Sequence, residues 1–411
     1  MAWENGLLLC IAYGCLVSSA PVDQHATPET SALYYNLRNL AKDPARIMFG
    51  QHKATLSGAS GGHAPYRTHT HGAFTSWEFT NTQVHLHGED ELCDVKEVTG
   101  QYPALTGFDF YEVTSDWMEL VGYLTKKAHA RGMIVTMSWH MKNPFSHGNA
   151  WNHTGTHILQ QMLPGGNLNH GYTQLMDKAA AYLHNLKDDD GKLIPVIFRP
   201  FHESNGGWFW WGLGNPVSNT GDDLKHIFQY TVKYFRDVKG VHNVLWAYSP
   251  NAGFNSHDLY SSGQYHAYMD GYPGDDYVDI LGLDDYLYVS KQENLQKFVD
   301  GLGKLVEEAE KRYKIPALTE IGLSKDRLNS NPNWWADYVL ASIKGTKHTT
   351  KVAAAQRIAF MYTWTNICGV HDCDIYTPYK GHQGDHYFVD FFKDPIMRFA
   401  DYTKQHNMYR H

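Results

Sequence analysis

The chain has 411 residues, 43% hydrophobic and 19% charged, enough to bury one large α/β core or two ordinary ones. Its formal charge of −8 comes without any basic run, which argues against a nucleic-acid partner, whereas a neutral polymer would meet no repulsion. Beyond the N-terminus no stretch approaches the roughly 18 apolar residues that span a bilayer, so no membrane partner is expected.

Residues 6–17 are apolar and short, and Ser18-Ser19-Ala20 follows with the small side chains a signal peptidase accepts. Residues 1–20 therefore read as a secretory signal and the mature protein as extracellular. A polar lead is expected over 21–39 and a single catalytic domain over 40–411. Within that domain, apolar runs bounded by turn residues predict strands at 47–51, 105–110, 133–139, 193–199, 244–249, 278–283, 315–320 and 358–364. Amphipathic stretches predict helices at 115–131, 172–185, 224–238, 294–313, 332–343 and from 395 onward. Many strand interiors are continuously apolar, as in parallel sheets covered on both faces. Eight strands with intervening helices fit a (β/α)8 TIM barrel, whose catalytic residues sit at the carboxyl ends of the strands. An open doubly wound sheet fits less well. The Gly/Ser segment at 57–62 lacks the ending of a P-loop and reads as a loop. The connection from 52 to 104 is an extended loop between strands one and two, expected to overlie the active face.

The polar residues at the predicted strand ends carry the chemistry. Glu203 follows strand four within Arg199-Pro200-Phe201-His202-Glu203, and Glu320 ends strand seven. Two carboxylates converging on one barrel mouth can divide the work of proton donor and nucleophile in a glycosidase. Arg199 can hold a carboxylate by two hydrogen bonds, and His202 can orient or share a proton. Burial beside rings and a second carboxylate would raise the pKa of an acid catalyst, as its task requires. Spacing alone leaves open whether hydrolysis retains or inverts, because a separation of about 5–5.5 Å fits the first and about 6.5–9.5 Å the second. At the other strand ends, His140 can bind a hydroxyl, Trp208 and Trp364 can form sugar platforms, and Tyr286 can donate to the nucleophile. Asp284 reads as an orienter or a ligand for a substrate hydroxyl.

No metal or cofactor is expected. His85 with His87, and His382 with Asp385 and His386, lack a ligand set of recognised spacing, and a serine-hydrolase G-x-S-x-G elbow is absent from the sequence. Cys368 and Cys373 enclose four residues, a spacing that can close a small disulfide in an oxidising compartment, which leaves Cys93 free. Asn152-His153-Thr154 is a glycosylation sequon.

The Arg199 to Glu203 stretch, the following Trp208-Phe209-Trp210-Trp211-Gly212 and the later Thr319-Glu320-Ile321-Gly322 closely resemble the pattern of glycoside hydrolase family 26, best known for endo-β-1,4-mannanases. The resemblance covers nearly the whole mature chain, including the run from Ile47 to His52, Trp139-His140, the run from Gly282 to Tyr286 and the run from Asp390 to Pro395. It implies a (β/α)8 barrel that hydrolyses with retention, with Glu203 as acid/base and Glu320 as nucleophile. It also implies His202 and Tyr286 as their partners, His140 and Trp208 near the cleavage point, and Trp364 as the strand-eight platform. The implied activity is secreted, monomeric, cofactor-free endo-hydrolysis of mannan, glucomannan or galactomannan. A β-1,3-xylanase or mixed-linkage β-glucanase with the same machinery is the alternative. A non-catalytic polysaccharide-binding barrel is the alternative of a different class.

Overall fold

The computed structural model describes residues 20–59, 66–70, 77–79, 82–86, 93–115, 117–323, 327–345, 351–368 and 373–410. The expected signal segment, up to residue 19, lies outside the described residues. Eight parallel strands close into a barrel: β1 (Ile47–His52), β2 (Leu105–Asp109), β3 (Ile134–Ser138), β4 (Val196–Arg199), β5 (Val244–Tyr248), β6 (Ile280–Asp285), β7 (Ile315–Ile321) and β8 (Phe360–Thr363). Each pairs with the next, and β8 closes on β1 with Met48 opposite Phe360. A short strand, Met397–Arg398, pairs beside the start of β1. Each of these eight strands falls on one of the predicted runs.

Strand residues alternate between two cores, as the two-residue period of an extended chain requires. Met48, Leu105, Ile134, Ile197, Leu245, Ile280, Ile315 and Phe360 form the barrel interior. Their neighbours Phe49, Val135, Phe198, Trp246 and Leu281 pack outward under the helical layer. Both faces are therefore dry, which is why the strands read as continuous apolar runs. The outer layer includes Met118–Ala130, Asn169–Asn185, Gly221–Lys233 and Leu295–Lys311. Tyr234–Val238 and Trp335–Leu340 are π-helical turns within predicted helices.

Pro28–Leu40, which largely falls in the expected polar lead, is a helix. Thr27 caps it by accepting the Thr30 N–H at 3.2 Å, and Pro28 occupies the first turn, where a missing N–H costs nothing. Leu33, Tyr34, Leu37 and Leu40 join the barrel interior at the end where the strands begin. The long β1–β2 connection is also more ordered than a loop. Ser57–Gly58, Tyr66–Thr70, Trp77–Phe79 and Thr82–Leu86 form a small antiparallel sheet, with Gly58 opposite Tyr66 in the segment read as a Gly/Ser loop. Among the described residues, no helix is long and apolar enough to cross a membrane.

One irregularity positions the site. Leu283 pairs with Leu318, but the next residue, Asp284, pairs with Glu320, so β7 carries one extra residue at Thr319. The pairing with β8 shifts over the same stretch, between Leu318 and Ile321. In an unbroken strand Glu320 would share the outward phase of Leu318. A bulge changes that phase and re-aims the side chain, so Thr319 and Glu320 both bond to groups at the barrel mouth.

Candidate active site

Arg199 lies at the end of β4 in the inward phase of Ile197, and it is 2% exposed. One terminal nitrogen donates to both Asp284 oxygens at 3.0 and 3.1 Å and to Ser249 Oγ at 3.1 Å. The other donates to Glu320 Oε1. The second oxygen of Glu320 accepts the Tyr286 hydroxyl at 2.8 Å. Thr319, the bulge residue, donates to Asp284 Oδ1 at 2.6 Å. Every one of these donors favours an ionised carboxylate.

Glu203 approaches the same point from the turn after β4. Phe201 and Glu203 both have left-handed backbones, with φ of 52° and 53°. For side chains of this size such conformations cost on the order of 1–3 kcal/mol each and persist only where the surroundings enforce them. Here the Glu203 N–H is anchored on the Ser249 carbonyl at 2.8 Å, and the Trp211 indole N–H holds the His202 carbonyl at 2.9 Å. Glu203 Oε2 accepts the Trp208 indole N–H at 2.6 Å. One oxygen each from Glu203, Asp284 and Glu320 lie within 4.8 Å of one another.

This proximity separates the charge states. Burial, then the charges of Glu320 and Asp284, raise the Glu203 carboxyl well above the ordinary range, with Trp208 and Arg199 pulling the other way. Burial likewise pushes Asp284 up, to about 7, against the pull of Arg199. Arg199 stays charged: burial disfavours its cation, but Asp284 and Glu320 outweigh that. Glu203 thus holds its proton more tightly than an ordinary carboxyl, beside two carboxyls bonded by Arg199.

Glu203 and Glu320 open onto a cleft of about 1100 Å³ whose walls include His140, Trp151, Trp208, Phe209, Tyr265, Tyr286, Trp364 and Tyr376. His140 is fixed by Asp109 at the end of β2, which takes its backbone N–H at 2.9 Å and meets its Nδ1 at 2.6 Å. Burial alone would raise the Asp109 carboxyl, but His140 and Lys53 hold it well below the usual range. An ionised Asp109 requires the proton on His140 Nδ1, which sets the tautomer. Trp364 stacks on His52, with ring centroids 4.1 Å apart and planes at 5°.

The fold thus brings together every residue expected at the site, though not all in the expected way. His202 is buried against His140, with ring centroids 4.6 Å apart, and burial keeps its imidazole neutral by lowering its pKa. Asp284 is completely buried behind Arg199, a place suited to orienting Arg199 and not to meeting a sugar. Asp109, Trp151, Tyr265 and Tyr376 escaped the sequence reading. An acid closing an apolar strand, as Asp109 closes β2, was the available signal for the first of them.

Three further expectations can be placed. Asn152 is half-buried, its Oδ1 accepting the Ser146 hydroxyl at 2.8 Å. His382 has both ring nitrogens engaged, by the Gly384 N–H and by Asn329 Oδ1, whereas the His85 and His87 side chains lie outside the described residues. Cys93 is free and buried. The Cys368 side chain, one half of the expected disulfide with Cys373, lies outside the described residues. The two positions face each other in an antiparallel pairing, so backbone hydrogen bonding brings the ends of that loop together.

The sequence profile of glycosyl hydrolase family 26 matches residues 22–353. This chain belongs to glycosyl hydrolase family 26. Similar to this family 26 chain is a mannan endo-1,4-beta-mannosidase of Bifidobacterium adolescentis, 34% identical over 392 residues that make up 90% of the chain and 34% of that protein. The chain therefore spans about a third of that relative's length. Among solved structures, the catalytic domain of a Bacillus sp. JAMB-750 endo-beta-1,4-mannanase superposes with a TM-score of 0.77 at 30% identity, covering 95% of this chain and 96% of that one. A beta-mannanase from Bacteroides ovatus gives a TM-score of 0.73 at 30% identity, covering 91% and 96%.

Proposed function

We propose that the chain is a retaining endo-β-1,4-mannanase in which Glu203 is the acid/base and Glu320 the nucleophile. The observation that carries the reading is the approach of their carboxylate oxygens to within 4.8 Å at the floor of an open cleft. That spacing suits direct attack on the sugar, whereas an inverting pair stands about 6.5–9.5 Å apart to admit water. Glu320 attacks the anomeric carbon while protonated Glu203 gives its proton to the leaving oxygen. Glu203 then takes a proton from the water that releases the glycosyl-enzyme. Arg199 and Tyr286 hydrogen-bond Glu320 and aim it, and the aromatic walls offer flat faces to a neutral polysaccharide. The names of the related enzymes favour mannan as that polysaccharide. Action outside the cell, after loss of residues 1–20, belongs to the same reading.

Replacing Glu320 with Ala should abolish turnover. Replacing Glu203 with Ala should lower it about 10²–10⁴-fold on unactivated substrate, with azide restoring turnover of an activated aryl glycoside. Proton NMR of the first product should show the β-anomer. An α-anomer, or a fully active Glu320→Ala enzyme, would overturn the mechanism. Release of reducing ends from xylan or mixed-linkage glucan in place of mannan would keep the mechanism and replace the substrate. No release from any of them would leave a binding barrel.

A further inference from the structure

The cleft does not end at the carboxylates. A side cavity of about 440 Å³, lined by Tyr111, Glu112, Ser115, Trp117 and Lys142, lies beyond the carboxyl ends of β2 and β3. It shares Tyr111, Glu112 and Lys142 with the catalytic cleft, so the two adjoin. Tyr111 is 41% and Trp117 39% exposed, although large rings in a folded chain are mostly buried. The Lys142 ammonium lies 5.7 Å from the centre of the Tyr111 ring.

The base of this region is fixed to the site. Asp109, which orients His140, also caps the turn Phe110–Val113 by accepting the Tyr111 N–H at 2.8 Å. Glu112, on the same turn, pairs with Lys53 at 2.5 Å. The Tyr111 backbone is thereby held in register with His140.

We propose that Tyr111 and Trp117 form a distal platform for a β-mannosyl unit of the same polysaccharide chain, remote from the bond being cut, with Lys142 donating to its hydroxyls. The inference rests on the mannanase reading and adds a position to it. A pyranose in its chair form presents axial C–H groups that cover an exposed ring. Lys142 supplies three donors and no acceptor, which suits hydroxyl oxygens. Rings ordered before the ligand arrives lose little conformational entropy on binding.

The test compares kcat/KM on mannohexaose with that on an activated aryl β-mannobioside, too short to reach from the cleavage point to the platform. Trp117→Ala should lower the ratio of the two by about tenfold, equivalent to about 1.4 kcal/mol, through KM and with the mannobioside rate unchanged. Tyr111→Ala should lower the mannohexaose value in the same way, and Trp117→Phe, which keeps a ring, should restore most of the ratio. An unchanged ratio in both alanine variants, or equal losses on both substrates, would overturn the platform. A wild-type enzyme inert on mannohexaose would overturn the mannanase reading and the platform with it, so the two failures are distinguishable.

Discussion

The Trp208 indole N–H offers a direct test of how the proton on Glu203 is controlled. Its 2.6 Å bond to Glu203 Oε2 stabilises the carboxylate more than the acid and so opposes the upward push of burial and of the Glu320 and Asp284 charges. A hydrogen bond to a charged group contributes about 1.5–3 kcal/mol, and one pH unit corresponds to about 1.36 kcal/mol. Trp208→Phe keeps an aromatic ring beside Tyr265, whose centroid lies 5.1 Å away, but removes the donor. The Glu203 pKa should therefore rise by about one to two pH units. Because the proposed mechanism needs Glu203 protonated when the bond breaks, kcat/KM should fall as pH climbs through that pKa. The alkaline limb of the profile on soluble glucomannan should move to higher pH by the same amount. An activated aryl β-mannobioside, whose leaving group needs little protonation, should show no comparable limb in either enzyme. A limb that stays in place, or moves toward acid, would refute the reasoning.

Two further outcomes concern the scaffold. Burial pushes Asp285 up to about 7 against the pull of backbone N–H groups at Tyr288, Val289 and Leu287. A carboxyl raised above its unfolded value of about 3.9 contributes stability that is complete below that value and lost as pH rises through the folded pKa. Thermal melts should show the wild type losing Tm relative to Asp285→Asn as pH rises from about 4 toward 7; a difference that does not change with pH would refute the assignment. In the barrel, a Cβ on Gly107 would meet the Tyr362 hydroxyl and stand 2.8 Å from the Thr136 carbonyl oxygen. Gly107→Ala should cost about 1–3 kcal/mol in urea unfolding, and a neutral result would refute the clash.

The parts of this fold that show in the sequence are those that depend on local pattern. Each barrel strand is dry on both faces, so it appears as an uninterrupted apolar run whatever its neighbours are. Arg199, His202 and Glu203 stand out because charged groups beside four aromatics are unusual after such a run. The bulge at Thr319 depends on the pairing of β7 with two neighbours, and strict alternation along Ile315–Ile321 would have turned Glu320 outward with Leu318. The helix Pro28–Leu40 carries a Thr-Pro capping signal, but Asn36, Arg38 and Asn39 weaken its apolar stripe. What makes it a core element is the open end of the barrel beneath it. The role of Asp109 depends on His140, 31 residues away. The sequence spacing of Cys368 and Cys373 suits the hairpin pairing found there.

On the proposed mechanism, the placement of Arg199 explains why two chemically similar glutamates can take different roles. Three carboxylates meet within 4.8 Å, and one guanidinium faces them, so full ionisation would leave two uncompensated charges close together. A proton must therefore reside on one of the three. Asp284 receives two bonds from Arg199 and one from Thr319, and Glu320 receives Arg199 and Tyr286. All these donors lose strength when their acceptor is protonated. Glu203 is the carboxyl that Arg199 does not bond, and it meets the uncompensated field of the other two. On the proposed mechanism the proton resides on Glu203, and Arg199 and Tyr286 aim Glu320 for attack. Once Glu320 is bound to the sugar its charge is gone, the field on Glu203 weakens, and its pKa falls. The group that began as an acid thereby becomes the base that the second step requires.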